Sequence, residues 1–197
     1  MATQKNANSM TIKESLNRLI EGNGRFISGN SLHQLQDKKR INELVNGQKP
    51  FAIVLSCSDS RVVPELAFDT GLGELFVIRV AGNIANTSSI ASIEYAVAHL
   101  GTPLIVVLAH QSCGAVTAAV AGGDNGKNLN HLLSHISAAI QASADKSVDA
   151  VAIENAKITA KDLVNKSPII SKAITENKVA IRSAFYQLTD GKVVFFD

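Results

Sequence analysis

The 197-residue chain has no tryptophan, two cysteines, two methionines and four prolines, and its aromatic residues are seven Phe and two Tyr. Two cysteines exclude a disulfide-dense secreted scaffold, and a chain of this length buries enough surface to fold without a staple. An excess of one charge is also missing. Nineteen Lys and Arg stand against 17 Asp and Glu, a net of +2, with no block of like sign. That excludes a strong electrostatic claim on nucleic acid or on an anionic membrane surface. Long apolar runs are absent too. A membrane span takes about 20 consecutive apolar residues, and the longest runs, Phe51 to Leu55 and Leu104 to Ala109, stop far short of that. The amino-terminal MATQKNANSM is polar and lacks the apolar centre of a secretory leader. A cytoplasmic protein is the expectation, with a periplasmic or organellar mature form left open. Repeats and low-complexity segments are lacking, and 46% hydrophobic with 18% charged residues is an ordinary globular composition, expected as one domain.

What is present has a readable order. Ile12, Leu16, Leu19, Ile20, Phe26 and Ile27 recur at helical spacing over 11–29, opened by Thr11 and Glu14 as a capping box. A second helix is expected after Asp37, ending near Asn46-Gly47 before Pro50. Then the period changes. Phe51 to Leu55, Leu75 to Val80 and Leu104 to Ala109 are short, β-branched apolar runs, which suit strands of a parallel sheet buried on both faces. Ser88 to Leu100 reads as a helix between the second and third, making a βαβ unit. A small-residue helix follows Cys113, then the turn-rich Gly122 to Gly126, then helices at about 128–143, 148–165 and 168–176. Val179 to Leu188 and Val193 to Phe196 flank Asp190-Gly191, a strong hairpin signal. The expected class is α/β, a single domain with a mostly parallel central sheet, flanking helices and a C-terminal antiparallel hairpin.

Chemistry-bearing residues concentrate at two strand ends. Cys57-Ser-Asp59-Ser-Arg61 begins two residues after the first apolar run, and His110-Gln-Ser-Cys113-Gly114 directly follows the third. Open α/β sheets place their sites at the carboxyl ends of strands. If these two strands are neighbours, Cys57, His110 and Cys113 converge. Two thiolates and an imidazole suit zinc, and three protein ligands leave a fourth tetrahedral position open, as catalytic sites do. Cys113 stands where a helix begins, and that helix end favours the thiolate. Asp59 and Arg61, two apart, are placed for a bidentate, charge-assisted contact that keeps the carboxylate ionised. Taken singly, each residue has a plainer reading: buried cysteines, a core histidine and a surface ion pair of little energetic consequence.

Together these residues spell C-x-D-x-R followed by H-x-x-C, and in this the chain resembles the β-class carbonic anhydrases. The resemblance runs from about Gln48 to Val120 and extends to the C-terminal hairpin. Gln48 nine residues before Cys57, Phe76 nineteen after it and Tyr95 fifteen before His110 match further pocket positions of the plant-type branch. The branch with a Trp-containing bicarbonate regulatory site is disfavoured by the absence of Trp. The resemblance implies one such domain over 1–197, with an N-terminal helical arm at about 11–47. It implies one Zn2+ per chain on Cys57, His110 and Cys113, and reversible hydration of carbon dioxide to bicarbonate and a proton by zinc-bound hydroxide. Asp59, held by Arg61, would accept a hydrogen bond from that hydroxide and aim it. Gln48 would donate to a substrate or bicarbonate oxygen, Phe76 and Tyr95 would wall an apolar slot, and Gly114 would offer its N–H. His99, four residues after Tyr95 on the same helix face, takes the position of a proton shuttle. Gln48, Phe76 and Tyr95 are implied to serve a neighbouring subunit, hence a homodimer or an assembly of dimers. Asp59 turned onto the metal would fill the open position and stop turnover. In three-histidine carbonic anhydrases zinc brings the pKa of its water to about 7; two thiolates cancel more of the metal's charge, so a rate climbing into the alkaline range is expected. Two other functions fit the same motif: a hydrolase of carbonyl sulfide or carbon disulfide, and a non-catalytic zinc- or bicarbonate-binding module, the latter opposed by the presence of Asp59 and Arg61.

Other signals fall short of their motifs. His131 and His135 are spaced as in zinc proteases, but Leu132 stands where that motif needs Glu. Gly122 to Lys127 fails the phosphate-loop spacing, and Gly71-Leu-Gly73 precedes a strand instead of following one. His33 and Lys38-Lys39-Arg40 read as solvated.

Overall fold

In the computed structural model, which describes residues 10–196, the apolar runs become the centre of one sheet. The polar residues 1–9, on which the leader expectation rests, lie outside the described residues. Strands β1 (Ala52–Ser56), β2 (Leu75–Arg79), β3 (Leu104–His110), β4 (Ala180–Tyr186) and β5 (Val193–Phe196) are ordered β2-β1-β3-β4-β5. The first four run parallel, and β5 returns antiparallel to β4. Every residue of β1 and β3 is buried. Helices cover both faces, so these strands need no polar alternation, which is why they read as unbroken apolar runs. The βαβ unit joins β2 to β3, yet β1 lies between them in the sheet. β1 and β3 are therefore neighbours, with Ser56 opposite Leu108, and their carboxyl ends open at the same edge.

Helix α1 (Ile12–Ile27) starts at the expected capping box: the Glu14 N–H donates to Thr11 Oγ1 at 3.2 Å and the Thr11 N–H to Glu14 Oε2 at 2.7 Å. Its Leu19 joins Val54, Val106 and Ala184 in the core on one face of the sheet. Buried Asn23 donates to the carbonyls of Ala67 and Gly191 and accepts from the Val193 N–H, tying α1 to the hairpin. Helix α2 (Lys38–Leu44) ends shortly before Asn46. Its Arg40, expected among solvated charges, instead turns inward: Nε donates to the Leu72 carbonyl at 3.0 Å. A four-residue helix, α3 (Pro64–Ala67), is too short for a periodic pattern and is absent from the sequence reading.

The other face is covered by α4 (Thr87–Leu100), α5 (Gly114–Ala121), α6 (Lys127–Ser134), α7 (Ser137–Ala142), α8 (Val148–Lys166) and α9 (Pro168–Thr175). The single helix expected at 128–143 is thus two. The break at His135-Ile136 lets Ile136, fully buried, reach the 3-10 turn Ala81–Asn83, and no Pro or Gly marks it. No described helix is long and apolar enough to cross a membrane.

Candidate metal centre

Three elements deliver the metal-type ligands. Cys57 is the first residue past β1, His110 is the last of β3, and Cys113 is the N-cap of α5. All three are buried, and their donor atoms lie within 4.8 Å of one another. The two sulfurs are 4.0 Å apart. Tetrahedral zinc with bonds of about 2.3 Å separates two sulfurs by about 3.8 Å, so the spacing fits. His110 Nδ1 lies 2.8 Å from the Gln111 carbonyl oxygen, which only accepts. Nδ1 therefore carries a proton, and in the neutral ring the lone pair lies on Nε2. Nε2 is buried with no hydrogen-bond partner among the described residues, an arrangement a metal resolves. No other such cluster of three metal-type ligands occurs among the described residues. His131 and His135 touch each other edge-on without a third ligand, and burial is the main reason the pKa of His135 is lowered.

A hydrogen bond between the two sulfurs pushes their acidities apart. The Cys113 S–H donated to Cys57 lowers the pKa of Cys57, and that same bond, with burial, raises that of Cys113. The first-turn N–H groups of Val116 and Ala115 oppose that rise, as a helix amino terminus should. A metal held here would need both sulfurs as thiolates, so its binding would release protons.

Beside the ligands, Arg61 grips Asp59 as a fork: Nε to Oδ1 at 2.9 Å and Nη2 to Oδ2 at 2.7 Å, with the Arg61 backbone N–H also on Oδ1 at 2.9 Å. The Arg61 hydrogen bonds hold Asp59 far below the usual carboxylate range, against the opposing effect of burial. Asp59 Oδ2 stands 3.9 Å from His110 Nε2, facing the ligand cluster. Gly114 is the first residue of α5.

Two residues here escaped the sequence reading. Arg79, at the end of β2, donates from Nε to the Cys57 carbonyl at 3.0 Å and from Nη2 to the Asp59 carbonyl at 2.6 Å. The Gly82 N–H points at Cys57 Sγ at 3.4 Å. A charged residue closing an apolar strand was a signal for the first; the second acts through its backbone and leaves none.

The remaining candidates gather elsewhere. Phe76 and Tyr95 have ring centroids 6.2 Å apart, and Tyr95 and His99 5.1 Å. Gln48, Tyr95 and His99 line a cleft of about 1480 Å³ that none of Cys57, Asp59, His110 or Cys113 lines. Within one chain, the cleft that holds Gln48, Tyr95 and His99 is thus not the one that holds the ligand cluster.

Comparison with known proteins is consistent in direction. The sequence profile of the carbonic anhydrase family matches residues 52–193. Carbonic anhydrase 2 of Mycobacterium tuberculosis is 38% identical over 186 residues, covering 91% of this chain and 90% of the relative. The carbonic anhydrase of Mycolicibacterium smegmatis is 37% identical over 182 residues, 89% of this chain and 88% of its own length. Among solved structures, the β-carbonic anhydrase CcaA superposes with a TM-score of 0.75 at 29% identity, over 92% of this chain and 87% of that one. A structure from work on two tetrameric β-carbonic anhydrases of Sordaria macrospora superposes at 0.74 and 26% identity, over 92% and 96%.

Proposed function

We propose that this chain, which belongs to the β-carbonic anhydrase family, reversibly hydrates carbon dioxide at a single zinc held by Cys57, His110 and Cys113. The observation that carries the reading is the convergence of two sulfurs and an unpartnered imidazole nitrogen beside an ionised carboxylate. Zinc bound there supplies Lewis-acid activation of water for attack on carbon. The protein's residues do the rest. The Gln111 carbonyl fixes the His110 tautomer, so Nε2 is presented without a competing proton. Asp59, acceptor-only while ionised, takes the hydrogen bond of the attacking oxygen and turns its lone pair toward carbon. Arg61 prevents that carboxylate from rotating and keeps it charged. Gly114 offers its backbone N–H to the product oxygen at the positive end of α5.

Gln48, Phe76 and Tyr95 serve the metal centre of a second copy, with Gln48 donating to bicarbonate, the rings enclosing apolar carbon dioxide and His99 passing the proton to solvent. The placing of Gln48, Tyr95 and His99 in a cleft without the ligand cluster supports this assignment, and so does the tetrameric state described for the Sordaria proteins. Asp59→Asn tests the mechanism. It should leave one zinc per chain and lower the hydration rate by about 100-fold, the range of one positioned proton acceptor. Turnover within a factor of about two of the parent would sink the role given to Asp59.

A further inference from the structure

We propose that helix α8 braces the metal centre, with Asn155 positioning Cys57 through Gly82 and Asp149 positioning Cys113 through Ser112. Asn155 is 1% exposed and shares the inner face of α8 with Val151, Ala152, Ala156 and Leu163. An amide there is costly unless bonded. Its Nδ2 donates to the Gly82 carbonyl at 2.8 Å, while the Gly82 N–H points at Cys57 Sγ. One residue thus has its carbonyl anchored to α8 and its N–H aimed at a ligand sulfur. Gly82 has φ +70, and a Cβ there would stand 3.0 Å from Ile136 Cδ1. Gly82 has no side chain with which to fix its own peptide group, and Asn155 holds its carbonyl.

The second loop is treated alike. Ser112, next to Cys113, sits at φ +52, a conformation a non-glycine residue keeps only when its surroundings fix it. The Ser112 N–H donates to Asp149 Oδ1 at 2.7 Å, and its carbonyl accepts from Arg61 Nη2 at 3.3 Å. Asp149 lies in the first turn of α8. Both ligand loops therefore hang on one 19-residue helix packed against β3 and β4, the kind of rigid element that holds a site to its geometry. Asn155 and Asp149 touch no reacting atom; they are positioning residues, and partners of metal ligands typically change affinity by about 10–100-fold.

The inference rests on the Cys–His–Cys metal reading, and cobalt separates the two. Metal-free parent protein titrated with Co2+ should develop a thiolate-to-cobalt charge-transfer band; its absence would overturn the metal reading and the brace with it. Given the band, Asn155→Ala should shift it to longer wavelength, because Cys57 loses its N–H donor, and should release Co2+ to a chelator about tenfold faster. Asp149→Ala should also release faster, whereas Asp149→Asn, whose amide oxygen still accepts from the Ser112 N–H, should behave as the parent. The Asp149 pair decides the matter should Asn155→Ala not fold. Unshifted bands and parental release in both folded Ala variants would overturn the brace, as would equal release from Asp149→Asn and Asp149→Ala.

Discussion

Asp69 is 3% exposed at its side chain and receives Arg25 Nε at 2.6 Å, the Leu32 N–H at 3.0 Å and the His33 N–H at 3.2 Å. Burial alone would raise its pKa; the Arg25 hydrogen bond and the two N–H groups outweigh burial and leave it lowered. A folded pKa below the unfolded value of about 3.9 means the ionised group adds its full stability above that pH. That contribution is lost as pH falls through the folded pKa. Asp69→Asn should therefore cost about 1–3 kcal/mol at neutral pH and flatten the fall in stability below about pH 4. Urea unfolding at the two pH values checks this, and an equal loss at both would contradict it. The same scale separates what sequence reveals from what it hides. Cys57, Asp59, Arg61, His110 and Cys113 bring their own side-chain atoms to one edge of the sheet, so residue type and spacing expose them. Gly82 works through its backbone N–H, and Asn155 through the carbonyl of a residue distant in sequence; nothing in their spacing says so.

Helix α1 carries two glycines, Gly22 and Gly24, with opposite consequences. A Cβ on Gly22 would run into the Phe68 carbonyl oxygen, at the end of α3, whereas one on Gly24 meets nothing within 4 Å among the described residues. Glycine inside a helix costs about 0.5–1 kcal/mol relative to alanine, so Gly24→Ala should gain about that much. At Gly22 the clash with backbone dominates, and Gly22→Ala should lose about 1–3 kcal/mol as α1 is forced off α3. Urea midpoints that rise for both variants would contradict the close approach of these helices. Elements themselves were legible where burial shapes composition: β1 and β3, buried on both faces, left unbroken apolar runs. α3 was not legible because four residues carry no period, and the α6–α7 break was not because burial of Ile136, and no breaker residue, produces it.

The whole molecule leaves apolar surface uncovered on its amino-terminal helices: Ile20 is 48% exposed, Ile41 53% and Val45 75%. The Gln48–Tyr95–His99 cleft is lined without Cys57, Asp59, His110 or Cys113 of its own chain. Both observations support an assembly in which one copy finishes the site of another. Asp59→Asn and Gln48→Ala chains, each slow alone, should on mixing and reassembly recover activity, because each mixed pair holds one site with both residues intact. No recovery, with exchange of subunits shown by mass, would contradict shared sites. That the sheet is mostly parallel was readable from its apolar runs, whereas the meeting of Cys57 with His110 depended on β1 and β3 being neighbours, which the structure shows. Which copy a pocket residue serves is a property of the assembly and has no trace in one chain's periodicity. The most direct test of the account is stopped-flow carbon dioxide hydration between about pH 6.5 and 9, with zinc content measured on the same sample. A rate well above that of buffer, rising with pH at one zinc per chain, is the predicted result; full zinc occupancy without hydration at any pH would contradict it.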